Sequence, residues 1–64
     1  MKFNSNQINF MKEIGIDIDF ENISDSDLII IEEKVADKLE TSGFDKDYNI
    51  TEVGKMCESI IDMI

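Results

Sequence analysis

Arginine, proline, histidine and tryptophan are missing from this 64-residue chain, and cysteine occurs once. Without histidine there is no imidazole metal ligand and no ready base to activate a nucleophile. A single cysteine, Cys57, allows no intrachain disulfide. Extracellular domains of this size ordinarily carry several, so a reducing compartment is expected. No apolar run approaches the roughly 20 residues of a membrane span. The early segment Lys2-Phe3-Asn4-Ser5-Asn6-Gln7 lacks the apolar centre of a signal peptide. Together these absences point to a cytoplasmic protein with no membrane association.

Positive charge is the other shortage. Six lysines face fifteen acidic residues, for a net charge of −9. The imbalance is uneven: the segment 13–33 holds Glu13, Asp17, Asp19, Glu21, Asp25, Asp27, Glu32 and Glu33 with no lysine, a local charge of −8. Such a field repels nucleic acid and anionic membranes and draws in basic protein surfaces over about a Debye length. Direct nucleic-acid binding is therefore not expected. Apolar residues make up 42% of the chain, enough for a core despite the charge.

What is present is helical. An apolar residue, a capping residue, a hydrogen-bonding residue three later and a second apolar residue recur three times, the pattern of a capping box with a hydrophobic staple. Asn4 pairs with Gln7 while Phe3 meets Ile8; Ser24 pairs with Asp27 while Ile23 meets Leu28; Asn49 pairs with Glu52 while Tyr48 meets Val53. Thr51 competes for the last cap. Gly15 and Gly43 stand where left-handed residues would end the first two helices. The spacing predicts helices at about 5–14, 25–42 and 50–64.

Each helix has an apolar face at 3.6-residue spacing: Ile8, Phe10, Met11 and Ile14 on the first; Leu28, Ile31, Val35 and Leu39 on the second; Val53, Met56, Cys57, Ile60, Ile61 and Ile64 on the third. The expected architecture is a single all-α domain over residues 1–64, a small three-helix bundle with an extended acidic arm between the first two helices. In that arm Ile16, Ile18 and Phe20 alternate with Asp17, Asp19 and Glu21, the period of an extended segment. Ile29 and Ile30 fall on the side of the second helix that should face water. The arm is expected to fold over them, burying Ile18 and Phe20 there. Left uncovered, they would form a partner patch or a dimer contact.

Catalytic readings find little to work with. Cys57 lies inside the apolar stripe of the last helix with no base in the chain, the setting of a core thiol. Asp17, Asp19 and Glu21 occupy the first, third and fifth places of a calcium-loop window, but its sixth place is Asn22 and its twelfth Leu28. The window from Asp45 fails likewise, with Ile50 and Met56 at those places. No metal site, cofactor or enzyme activity is expected.

Asp25-Ser26-Asp27-Leu28 resembles the attachment motif of acyl carrier proteins, in which Asp-Ser-Leu opens an acidic helix. Ile50-Thr51-Glu52-Val53-Gly54 is similar to that family's entry into its last helix. The resemblance implies acyl carriage on Ser26, but Asp27 separates the serine from the leucine, and the stretch before Ser26 is short for that family's first helix and loop. As a whole, the length, the isoleucine-rich, arginine-free composition and the run from Glu32 to Ile64 resemble the small acidic accessory proteins of prophages and mobile elements in low-GC Gram-positive bacteria. That resemblance implies an accessory or inhibitor role and transfers no site residues.

The remaining signal is charge geometry. Carboxylates at alternate places of an extended arm repeat every ~6.6 Å, comparable with successive phosphates on a nucleic-acid strand. The expected function is a protein-interaction module whose Asp17, Asp19, Glu21, Asp25, Asp27, Glu32 and Glu33 meet a basic protein surface, such as the nucleic-acid groove of another protein. The alternative is a homodimer formed through an apolar interface.

Overall fold

Short polar side chains set the start of each helix in the chain, of which a computed structural model describes residues 2–64. Helix α1 spans Ser5–Glu13, α2 spans Asp25–Ser42 and α3 spans Glu52–Ile61. The first two begin with the expected capping boxes. The Asn4 side chain accepts from Gln7 N at 2.8 Å, and Gln7 Oε1 accepts from Asn4 N at 2.9 Å. Ser24 Oγ accepts from Asp27 N and Asp27 Oδ2 accepts from Ser24 N, both at 3.1 Å. Each box satisfies two amide groups that a helix start leaves open.

The third start belongs to Thr51, the competing cap, and α3 is shorter than expected at both ends. Asn49 is committed elsewhere: its N–H donates to Asp45 Oδ1 at 3.0 Å and its carbonyl accepts from Asp45 N at 2.9 Å. Thr51 Oγ1 accepts from Gly54 N at 3.0 Å and donates to the Ser42 carbonyl at 2.8 Å, so one hydroxyl ties the start of α3 to the end of α2. Tyr48 consequently forms no staple with Val53; it stands 87% exposed with a positive φ of 63°. Beyond Ile61 the hydrogen bonds tighten to Met63 N→Ile60 O and Ile64 N→Ile61 O, which leaves Ile64 exposed and turns Met63 toward the core.

Gly15 ends α1 as expected, in the left-handed region with φ 94°. Ile16 N reaches back to Met11 O and Gly15 N to Lys12 O, the bond pair of a Schellman stop, and both apolar partners of that motif, Met11 and Ile16, are buried. Gly43 differs. Its backbone is right-handed, at φ −77° and ψ −17°. A Cβ there would meet the Leu39 carbonyl of its own helix, whereas a Cβ on Gly54 would meet the Gly43 carbonyl, so it is Gly54 that lets the start of α3 approach the backbone at the end of α2.

Phe3, Met11, Ile16, Ile31, Val35, Cys57 and Ile60 make the core, drawn from all three helices and both segments beside α1. Ile8, Phe10, Ile14, Leu28, Leu39, Val53, Met56 and Ile61 pack around it, so the expected faces of the helices are the faces that close. α2 and α3 make the most extensive contact between helices, α1 lies against α3, and α1 and α2 scarcely meet. The result is an all-α molecule of 38 × 20 × 19 Å. Burying each of the larger core side chains contributes about 1.5–3 kcal/mol against the entropy of ordering the chain.

The linker between α1 and α2 departs from expectation in two ways. It runs without a bend only over Ile16 and Asp17, bends at Ile18 and turns at Phe20 and Glu21. Asn22 N donates to Asp19 O at 3.2 Å, and Asp19 Oδ1 accepts from Glu21 N at 3.0 Å. An aspartate that captures nearby amides in this way outcompetes extended backbone. Nor does the linker cover the start of α2: Ile29 and Ile30 remain 59% and 39% exposed. Phe20 lies instead over α1, with the Lys12 ammonium 6.0 Å from its ring centroid.

Candidate interaction surface

Asp17, Asp19 and Glu21 project from the linker; Asp25 and Asp27 occupy the first turn of α2; Glu32 and Glu33 follow one turn later. All are exposed except Asp27, which is half-buried. Among the described residues the ion pair is Lys55 with Glu52, three residues apart on α3 at 3.5 Å, so the negative charge of 17–33 has no internal counterion.

Two of these seven carboxylates have structural duties. Asp27 completes the capping box with Ser24. The amide of Glu21, and then the side-chain amide of Asn22, hold the Asp19 carboxyl below its ordinary pKa. The other five, Asp17, Glu21, Asp25, Glu32 and Glu33, carry no side-chain hydrogen bond to the protein and are free to meet a partner. Because the linker turns at Asp19, the seven do not form one evenly spaced row.

On α2, helical geometry puts Ile29 and Ile30 about 100° apart with Glu33 between them. Asp25, Asp37 and Glu40 share that outward sector, opposite the buried Ile31 and Val35. Asp37 and Glu40 fall outside the acidic segment picked out from the sequence. The signal that could have included them is helical spacing, since at 100° per residue Asp37 falls beside Ile30 and Glu40 beside Ile29.

A shallow pocket of about 240 Å³ opens between α1 and the linker, lined by Lys2, Phe3, Ile8, Phe20 and Glu21. Its lining mixes one cation, one anion and three apolar side chains, without convergent hydrogen-bonding groups to orient a ligand. Cys57 is fully buried, and burial pushes its thiol pKa up against the opposing pull of Lys38, so the reactive thiolate is disfavoured. Ser26 is an exposed first-turn residue of α2. No group of three or more acidic or cysteine side chains is arranged to hold a metal ion among the described residues, and no described helix is long and apolar enough to cross a membrane.

No protein-family model, no curated protein and no solved structure matches this chain.

Proposed function

We propose that this protein is an interaction module that meets a basic surface of another protein through its acidic face, residues 17–33. One observation carries the reading: eight carboxylates stand between residues 13 and 33 without a lysine among them, and no ion pair within the described fold neutralises them. Seven of the eight are exposed. A field of one sign steers oppositely charged partners and raises their association rate, and this effect weakens with salt.

The ordinary alternative is that acidic side chains keep a tiny domain in solution and suit helix starts. Asp25 and Asp27, in the first turn of α2, fit that role. Asp17 and Glu21 have no helix start to suit and accept no side-chain hydrogen bond, so only the solubilising part of that role applies to them. Mimicry of a regular phosphate row is less well supported than a general basic surface, because the linker's turn interrupts the repeat at Asp19.

The test is capture of partners from a lysate of the source cells at low salt, comparing the natural chain with a variant in which Asp17, Asp19 and Glu21 are lysine. The expected result is a basic protein retained by the natural chain and lost by the variant, with unchanged helical circular dichroism. Equal retention by both removes the acidic-face reading. Self-association is the second reading, favoured by the exposure of Ile29, Ile30 and Ile64. Sedimentation equilibrium that returns the monomer mass at high protein concentration excludes it.

A further inference from the structure

The outward face of α2 carries two isoleucines that no other part of the described chain covers. Ile29 and Ile30 are 59% and 39% exposed, α3 packs along the opposite side, α1 scarcely touches α2, and the linker folds over α1 instead. Exposed isoleucines in a fold this small give up part of the apolar area available for its core. The charges around them specify what can cover them. Asp25, Glu33, Asp37 and Glu40 share the sector, and all are exposed. Lys34, one position beyond Glu33, borders it on the side of Ile30.

We propose that this face docks a cationic amphipathic helix of another protein. Its apolar stripe would seat on Ile29 and Ile30, and lysines or arginines flanking that stripe would meet Glu33, Asp25, Asp37 and Glu40. The inference rests on the acidic-module reading and moves its centre from the linker to α2. A neutral apolar partner would desolvate these carboxylates without compensation. A second copy docked face to face about a two-fold axis would bring the same acidic sector against itself, and like charges in contact oppose that arrangement. A helical partner fits because the face is itself an 18-residue helix, about 27 Å long, and side chains spaced three and four apart offer ridges for a second helix.

The experiment titrates the isotopically labelled full chain with a synthetic peptide of leucine and lysine patterned as an amphipathic helix. A scrambled peptide of the same composition is the control, and amide shifts are read at low salt. The expected result is perturbation along residues 25–40, with the patterned peptide binding roughly tenfold tighter than the scrambled one, the loss typical of removing an interface anchor. In the Ile29→Ser, Ile30→Ser variant that preference should vanish while circular dichroism is unchanged. If the preference survives in the variant, or the shifts centre on residues 17–21, the docking inference is overturned and the acidic reading stands. If neither peptide binds, both fall. Shifts on α2 that depend on the concentration of the free chain would replace the proposed partner with a second copy.

Discussion

Two side chains in the connecting segments show how single residues set local backbone. Asp19 acts through its charged form: its carboxylate accepts from Glu21 N and from the Asn22 side chain, and these bonds lower its pKa below the ordinary value of 3.8. A group whose folded pKa is depressed contributes stability at all pH values above its ordinary pKa and loses it as pH falls through the folded value. Asp19→Asn should therefore be less stable than the natural chain at pH 7 in urea unfolding, and the difference should shrink toward zero as the pH drops below 3.8. A difference that stays constant with pH would show that the charge is irrelevant to the turn. Tyr48 poses the opposite case. A bulky residue in the left-handed region costs roughly 1 kcal/mol or more, and at 87% exposure the ring buries little in return. Tyr48→Asn should raise stability by about 0.5–1 kcal/mol, since asparagine tolerates that region. A thermal midpoint that falls in the variant would contradict the strain.

Among the elements, the junction of α2 and α3 is the most demanding. Exchanging glycine for alanine inside a helix ordinarily stabilises by about 1 kcal/mol, but at Gly54 the added methyl would meet the Gly43 carbonyl. Gly54→Ala should instead destabilise by roughly 1–3 kcal/mol, the usual cost of overpacking, measured as a lower urea midpoint with an unchanged slope. A stabilised variant would mean that the two helices do not meet backbone to backbone. This junction also marks where sequence reading stops. The starts of α1 and α2 were legible because a capping box lies within four residues, and Gly15 because its left-handed stop is equally local. The choice of Thr51 over Asn49 depends on the Ser42 carbonyl nine residues away, and the demand for glycine at position 54 depends on the Gly43 carbonyl eleven residues away. Period-two alternation suggested an extended arm, but the capture of amides by Asp19 turned it, and its direction goes with the packing of Ile16, Ile18, Phe20 and Ile23 on a core assembled from distant residues.

At the scale of the whole molecule, three apolar faces close on one core and leave the acidic segment outside. That division was legible in the sequence, since helical spacing sorts core from surface without knowledge of how the helices cross. Which acidic residues have structural duties was not legible in full. Asp27 could be assigned to its capping box, whereas Asp19 looked like one more member of a row until its hydrogen bonds were seen. The exposure of Ile29 and Ile30 was the open question that only the packed molecule answered, and it joins the acidic segment to α2. If the charge of 17–33 is what a partner meets, affinity must follow ionic strength. The most direct measurement is the dissociation constant for a captured basic partner at several salt concentrations. A steep loss of affinity with added salt, flattened in the variant with lysine at positions 17, 19 and 21, is the expected result; an affinity indifferent to salt would contradict the account.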